Sequence, residues 1–203
     1  LAAKIKSRIK TQIFYYISPQ IWAWKEKRIE IIKKYIDKMI VIFEFEKKWY
    51  QKRGVDVEYV GHPFLDIWNK NNTENLIKKY KIDKEQPILT LFPGSRKQEL
   101  KKHLELLISV ALELKENIPN LQILLGLHPE IQLTHKIDQQ IIIINDEPLK
   151  ALEVANVAIV ASGTATLQAA ILNTPTVVIY KMNTLSWFLT QRMVKVKYAS
   201  MAN

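Results

Sequence analysis

The chain has 203 residues, of which 48% are hydrophobic and 25% are charged, and it contains no cysteine. A hydrophobic share of this size can bury a core, so we exclude a disordered protein. The absence of cysteine excludes a disulfide scaffold and thiolate metal sites. The four histidines show no metal-ligand spacing, so we predict no protein-bound zinc. We also expect no other metal and no cofactor.

The apolar pattern predicts no membrane-spanning segment. No run of residues approaches the roughly 18 apolar positions of a spanning helix. Residues 1–10 also lack the apolar block of a signal peptide. We therefore expect a protein that is neither secreted nor membrane-spanning.

The formal net charge is +10, and the basic residues are concentrated toward both ends. Residues 1–60 carry fourteen Lys or Arg against seven acids, and residues 154–203 contain four basic residues and no acid. Such a pattern fits a phosphate-rich ligand, an anionic membrane or nucleic acid. For most individual lysines a solvated helix face is the simpler interpretation.

Eight strand-like segments alternate with helical patterns along the chain. Spacings of three and four predict helices over residues 25–37 and 97–117. Continuous apolar strands separated by helices indicate parallel sheets covered on both faces, which is an α/β, doubly wound architecture. The predicted strands cover residues 12–17, 39–43, 58–60, 88–92, 121–125, 141–144, 157–161 and 176–180.

A domain boundary is predicted after Gly61-His62-Pro63, where the sequence becomes polar and rich in asparagine. We assign residues 1–66 to the C-terminal part of one α/β domain and residues 67–203 to most of a second. Three strands are few for an independent doubly wound sheet, so we expect the first domain to be only partly present.

Two segments repeat one plan, in which a buried strand leads through a glycine turn into a helix. They are Pro93-Gly94-Ser95-Arg96 and Ser162-Gly163-Thr164-Ala165. Helix-start amides are unpaired and lie at the positive end of the helix dipole, and glycine lets an anion approach the backbone closely. Together the two turns predict a binding site for the diphosphate of one nucleotide.

Arg96 is the side chain we expect to bind the phosphates most directly. A planar guanidinium can bind two phosphate oxygens at once and stays charged at any working pH. The alternative role is an ion pair with a local carboxylate, Glu99 or Glu105. The hydroxyl of Ser162 or Thr164 could add a ligand contact or cap the following helix.

Six short motifs follow one another along the chain. They are Tyr16 to Lys25, Phe45-Glu46-Lys47 with Tyr50, Tyr59 to Pro63, Phe92 to Arg96, Ala161 to Leu167, and Lys195 to Tyr198. Taken in this order they resemble lipid-A-disaccharide synthases, and the string Ser-Pro-Gln-x-Trp-Ala-Trp in the first motif is the most specific of them.

The resemblance implies an inverting glycosyltransferase of the GT-B type, with two Rossmann-like doubly wound domains. Such an enzyme moves 2,3-diacylglucosamine from UDP onto 2,3-diacylglucosamine-1-phosphate and forms a β-1,6-linked disaccharide. Residues 1–66 would then belong to the acceptor side and residues 67–203 to the UDP-sugar side. The resemblance also implies a cytoplasmic protein at the inner-membrane surface, without nucleic acid, and leaves a homodimer open.

The resemblance also assigns roles to individual residues. Arg96 becomes the catalytic residue, and UDP is bound by Gly94, Ser95, Arg96, Ser162, Gly163, Thr164, Ala165, Gln168 and Asn203. Gln168 stands where the family carries a ribose-binding glutamate. It either keeps a ribose contact that the loss of charge weakens, or is a structural glutamine on a solvated face. Asn203 ends a Ser-Leu-x-Asn-like string that departs from the family at Met201 and Ala202. The general base, an aspartate, belongs to an earlier part of the first domain, so we expect this chain alone to be inactive.

Several residues outside the two glycine turns also have expected roles, and two of these roles stay open. Lys181 ends a strand and either faces phosphate or is an exposed loop lysine. His62 is expected to form a hinge or an interdomain hydrogen bond at the domain junction. His103 and His128 are expected to be structural. Trp22 and Trp24 are expected to pack under the cleft. The basic, aromatic stretch 187–197 fits membrane contact and intramolecular docking equally.

Two other functions remain open on the sequence alone. One is another UDP-sugar enzyme of the same architecture, related to UDP-N-acetylglucosamine 2-epimerase, which would share the two turns without the Ser-Pro-Gln-x-Trp-Ala-Trp string. The other is a non-catalytic basic module or remnant that binds RNA through salt-sensitive contacts.

Overall fold

The computed structural model describes residues 1–68, 73–133 and 136–181. These residues form two compact units. The described part of the first unit is Leu1–Trp68, and that of the second covers residues 73–181.

The first unit is a three-stranded parallel sheet in the order β1-β2-β3, with helices between the strands. Its core is formed by Ile29 and Ile32 of one helix together with Met39, Val41 and Tyr50. The predicted helix 25–37 begins as a 3-10 turn, Glu26–Arg28, and is α-helical only from Ile29. The elements are α1 (Ala2–Arg8), β1 (Phe14–Tyr16), α2 (Ile21–Trp24), α3 (Ile29–Tyr35), β2 (Lys38–Val41), α4 (Glu44–Gln51), β3 (Val57–Tyr59) and α5 (Phe64–Ile67).

The second unit is a five-stranded parallel sheet in the order β6-β5-β4-β7-β8. Strands β4, β6 and β7 have the predicted bounds, and β5 and β8 differ from them by one residue. The elements are α6 (Glu74–Tyr80), β4 (Ile88–Phe92), α7 (Lys97–Asn117), β5 (Gln122–Gly126), β6 (Ile141–Ile144), α8 (Pro148–Glu153), β7 (Val157–Ala161), α9 (Thr164–Ile171) and β8 (Thr176–Ile179).

Strand β4 is buried along its whole length because helices cover both faces of the sheet. Successive side chains of a strand point to opposite faces. Leu89 and Leu91 pack with the apolar stripe of α7, whereas the Oγ1 of Thr90 donates a hydrogen bond to the carbonyl of Ala151 in α8, at 2.7 Å. This two-sided cover confirms the predicted α/β, doubly wound class.

The direction of chain progression reverses between β4 and β7. From β4 the chain moves outward through β5 to β6, then returns to β7 on the other side of β4 and continues to β8. In open α/β sheets, ligands bind at the carboxyl ends of the strands beside such a reversal. The register pairs Phe92 with Val160, so both strands end at the same edge.

Helix α7 is amphipathic, with one face in the core of the second unit. The 21-residue α7 buries Leu100, Leu107 and Ala111 and exposes charged positions between them. Within the described parts of the chain, every helix is too short or too polar to cross a bilayer.

A buried carboxylate connects the Ser-Pro-Gln-x-Trp string to α4 in the first unit. Glu46 is 2% exposed, and its Oε1 accepts hydrogen bonds from the Oγ of Ser18, at 2.5 Å, and the Nε1 of Trp22, at 3.0 Å. Its Oε2 has no hydrogen-bond partner among the residues that the structure describes. Burial raises the pKa of Glu46, and the bonds from Ser18 and Trp22 oppose this increase.

We predict that Glu46→Gln changes the pH dependence of stability. A carboxyl whose pKa is higher when folded stabilises the protein below its unfolded pKa, and this contribution is lost as pH rises through the folded pKa. The free energy of unfolding of Glu46→Gln, relative to the wild type, should therefore increase from about pH 4 toward neutrality. Urea unfolding followed by tryptophan fluorescence measures it, because four of the five tryptophans lie in residues 1–68.

Glu44→Gln is the matched control on the same helix, since the Glu44 side chain is 67% exposed. Its difference from the wild type should change little over the same pH range. A Glu46→Gln difference that is constant with pH would contradict the prediction.

Candidate functional site

The two glycine turns lie next to one another at the carboxyl edge of the five-stranded sheet. One turn follows β4 and the other follows β7, and these strands are paired in parallel register. The structure therefore brings together the two segments that the sequence predicted to bind a diphosphate. The chemical groups of each turn determine which ligand it can bind.

In the first turn, the carboxylate of Glu99 folds back onto the backbone. Its Oε2 accepts hydrogen bonds from the amides of Ser95 and Arg96, at 3.1 and 3.3 Å. This arrangement is a capping box, in which a residue of the first helical turn satisfies amides before the helix. Gly94 has φ +109°, and a Cβ at this position would lie 2.8 Å from the Cβ of Glu99. The turn therefore requires glycine for its conformation and for space.

Arg96 is the N-cap residue of α7, and its side chain is 84% exposed. Its Nη1 lies 3.4 Å from Oε1 of Glu99, so Glu99 is the local carboxylate that the alternative interpretation required. An exposed pair at this distance contributes little to stability. The guanidinium can therefore turn toward an anion at the mouth of the site at little cost.

In the second turn, Gly163 is the N-cap of α9 and has open space where a side chain would stand. The amide of Ser162 donates to the carbonyl of Ile179, at 2.8 Å, and is thus part of the sheet edge. The N-cap residue is Gly163, so neither Ser162 nor Thr164 occupies the N-cap position. Thr164 and Ala165 lie in the first helical turn of α9, where backbone amides have no intrahelical partner.

Of the two UDP-binding residues predicted outside the glycine turns, the structure describes Gln168 but not Asn203. Gln168 is half-buried, one helical turn after the exposed Thr164 and on the same side of α9. Asn203, together with the departures at Met201 and Ala202, lies outside the described residues. The stretch 187–197 lies outside them too.

Two residues of α7 hold the first glycine turn through contacts that the sequence did not predict. Glu99 accepts hydrogen bonds from the amides of this glycine turn. His103, which we expected to be structural, lies one helical turn after Glu99 and contacts the same glycine turn. The Nδ1 of His103, 2% exposed, is 3.1 Å from the carbonyl of Pro93. Their four-residue spacing, which places both on one helix face, was the available signal.

His62 and His128 make local hydrogen bonds. The Nδ1 of His62 accepts from the amide of Phe64, at 3.2 Å, and burial lowers the pKa of His62. The Nδ1 of His128 accepts a longer hydrogen bond, 3.4 Å, from the amide of Glu130. Both contacts fit a structural role.

The two tryptophans of the Ser-Pro-Gln-x-Trp-Ala-Trp string have different surroundings. Trp22 packs edge-on against Phe45 and donates to Glu46. Trp24 is 46% exposed, with the Nζ of Lys25 4.1 Å from its ring centre. The expectation that Trp24 packs inside is wrong because α2 is only four residues long and presents this position to solvent.

Asp146 is an acid near this edge that sequence reasoning did not single out. It follows β6 and accepts hydrogen bonds from Lys79 and from the hydroxyl of Tyr80, which together lower the pKa of Asp146 to about 2. This network fixes α6 to the segment after β6, and leaves the carboxylate ionised at neutral pH.

A groove of 1260 Å³ begins at Ser95 and runs along α7. Its apolar lining combines one stripe of the helix, Leu104, Ile108 and Leu112, with the segment after β5. Charged residues line it too, including Lys97, Lys101 and Glu105. The groove is therefore a place where an apolar group could lie beside the first turn.

We predict that Gly94→Ala destabilises the second unit more than Gly54→Ala destabilises the first. Both positions have positive φ, but a Cβ at Gly54 meets nothing within 4 Å. Gly54→Ala should cost about 1–2 kcal/mol from backbone strain alone, and the contact with Glu99 should add about 1–3 kcal/mol at Gly94. Hydrogen exchange in urea, measured separately for peptides of each unit, gives both values. Equal losses would contradict the steric role of Glu99.

Comparison with known proteins places the chain in a family. A family model described as lipid-A-disaccharide synthetase matches residues 1–203. The lipid-A-disaccharide synthase of Coxiella burnetii (strain Dugway 5J108-111) is 37% identical over 205 residues, which are 99% of this chain and 54% of the relative. Lipid-A-disaccharide synthase 1 of Legionella pneumophila (strain Paris) is 36% identical over 213 residues, with 100% and 55% covered.

The chain thus spans about half the length of the curated relatives it matches. Among solved structures, the S. aureus MnaA-UDP co-structure has a TM-score of 0.57 at 12% identity, covering 98% of this chain and 65% of that chain. At this identity the likeness shows the fold alone, the α/β fold of GT-B type with parallel sheets that was predicted. The family match extends over every residue, and the chain belongs to the lipid-A-disaccharide synthetase family.

Proposed function

We propose that this chain provides the UDP-sugar-binding part of a lipid-A-disaccharide synthase. The reaction is the transfer of 2,3-diacylglucosamine from UDP onto 2,3-diacylglucosamine-1-phosphate, with a β-1,6 linkage and release of UDP. Residues 67–203 would bind the donor, and residues 1–66 would belong to the acceptor side. The family match carries this proposal, and the adjacent turns after β4 and β7 support it.

The proposed chemistry requires positive groups at the departing diphosphate. UDP leaves with developing negative charge, so fixed cations and backbone donors near it lower the barrier. Arg96 would supply the cation, and Gly163, Thr164 and Ala165 the amides at the positive end of α9. The exposure of the Arg96 side chain, 84%, supports this role.

Glu99 already occupies two of the predicted donors of the first turn. The amides of Ser95 and Arg96 bond its carboxylate, so a phosphate that uses them has to displace it. The contribution of Gly94, Ser95 and Arg96 is therefore proposed to come first from the Arg96 guanidinium and the Ser95 hydroxyl. Gln168 and Asn203 are proposed to contact the ribose or the remaining part of UDP.

An acylated substrate suits the groove beside the first turn. The groove that Leu104, Ile108 and Leu112 line begins at Ser95 and offers apolar surface beside the proposed diphosphate site. We propose that the complete protein acts in the cytoplasm at the inner-membrane surface, where such substrates lie, and that it binds there peripherally. The exposed Trp24 with Lys25, and the basic stretch 187–197, support contact with an anionic lipid surface.

Two alternatives are less favoured. A relative of UDP-N-acetylglucosamine 2-epimerase would share the turns, but the match of the whole chain to the lipid-A-disaccharide synthetase family favours the transferase. A basic RNA-binding module would explain the net charge of +10, but it does not require paired glycine turns at one sheet edge.

We predict that Arg96→Ala weakens UDP binding about tenfold or more, because a charged hydrogen bond to phosphate contributes about 1.5–3 kcal/mol. Uridine binding should change little, since uridine has no phosphate. Arg96→Lys should be intermediate, because an ammonium keeps the charge but not the two-pronged geometry. Calorimetry on the 203-residue chain measures these affinities.

Lys102→Ala is the matched control, because it removes one exposed positive charge from α7 away from the turn. Its UDP affinity should equal that of the wild type. An RNA oligomer should bind weakly and lose affinity steeply with salt, without dependence on Arg96. UDP affinity that is unchanged in Arg96→Ala would contradict the proposed site.

A further inference from the structure

His103 connects two distant parts of the second unit through its two ring nitrogens. Its Nδ1 is 3.1 Å from the carbonyl oxygen of Pro93, and its Nε2 is 3.1 Å from the backbone amide of Lys181. Pro93 opens the first glycine turn, and Lys181 follows the end of β8. The side chain is 2% exposed, so water does not compete for either bond.

The chemistry of the two partners fixes the protonation of the ring. A carbonyl oxygen only accepts hydrogen bonds, so Nδ1 has to carry the proton. A backbone amide only donates, so Nε2 has to be the unprotonated acceptor. His103 is therefore in the neutral Nδ1–H form whenever both bonds are present.

Lys181 is consequently located beside both glycine turns. The amide of Ser162 bonds the carbonyl of Ile179, which brings the end of β8 alongside the second turn. The imidazole ring of His103 lies between the backbone amide of Lys181 and the carbonyl of Pro93 and forms a hydrogen bond with each. These two backbone groups are therefore only one ring apart. The side chain of Lys181 is exposed, and no acid occurs from residue 154 to the end of the chain.

We propose that Lys181 is a second cation for the diphosphate and that His103 is the positioning residue that holds it there. This inference rests on the proposed UDP site. Arg96 would bind the diphosphate from the first turn and Lys181 from the end of β8. His103 keeps the two backbone segments at a fixed separation, and does not itself touch the ligand.

Substitutions can separate the two hydrogen bonds of His103. Asparagine places an amide nitrogen near the position of Nδ1, so His103→Asn keeps the contact with Pro93 and loses that with Lys181. Glutamine places an oxygen near Nε2, so His103→Gln does the reverse. Thr174→Val is the matched control, because it removes another buried side-chain bond of this unit, from Oγ1 of Thr174 to the carbonyl of Leu152.

The test measures UDP and uridine affinities by calorimetry for these variants, Lys181→Ala and the double variant His103→Asn/Lys181→Ala. We expect Lys181→Ala to weaken UDP binding about tenfold and leave uridine binding unchanged. His103→Asn should weaken UDP binding too, and the double variant should be little weaker than Lys181→Ala, because both act on one contact. Thr174→Val should bind UDP as the wild type does.

A spectroscopic measurement tests the positioning role without any ligand. Long-range ¹H–¹⁵N spectra of the 203-residue chain, labelled at histidine and assigned with His103→Gln, report which ring nitrogen carries the proton. We expect the Nδ1–H form at neutral pH, and the Nε2–H form or a doubly protonated ring would overturn the inference. UDP binding that persists unchanged in Lys181→Ala would overturn it as well. Failure of the wild type to bind UDP would instead overturn the proposed function, and with it the role of Lys181.

Discussion

The candidate site depends on the parallel pairing of β4 with β7. These two strands are neighbours although 64 residues lie between Phe92 and Val157, because the chain completes β5 and β6 on one side before it returns. Parallel pairing places both carboxyl ends at one edge, so each glycine turn opens onto the same space. If the strands were ordered differently, the same two motifs would not share a ligand.

The backbone at this edge is held by side chains of the following helix. Glu99 fixes the amides of the first turn, and His103 fixes the carbonyl of Pro93 and the amide of Lys181. A ligand thus meets a turn whose shape is already set, which reduces the entropy lost on binding. The exposed guanidinium of Arg96 is the adjustable part of this arrangement.

The sequence predicted the features that short-range patterns determine, such as where a strand or a helix begins and ends. The bounds of β4 and α7 follow from a continuous apolar run, a glycine turn and a regular leucine stripe, and the structure has the same bounds. It did not predict the contact of His103 with Lys181, because nothing local relates residues 78 positions apart. It also missed the folding back of Glu99, since a capping box and a solvated glutamate have the same sequence.

The proposed function requires one UDP molecule to contact both glycine turns at once. A titration of the ¹⁵N-labelled chain with UDP tests this requirement, by following the amide signals of Gly94 to Arg96 and of Gly163 to Ala165. We expect both groups of signals to shift together, with one dissociation constant. Shifts confined to one turn, or different dissociation constants for the two, would contradict it.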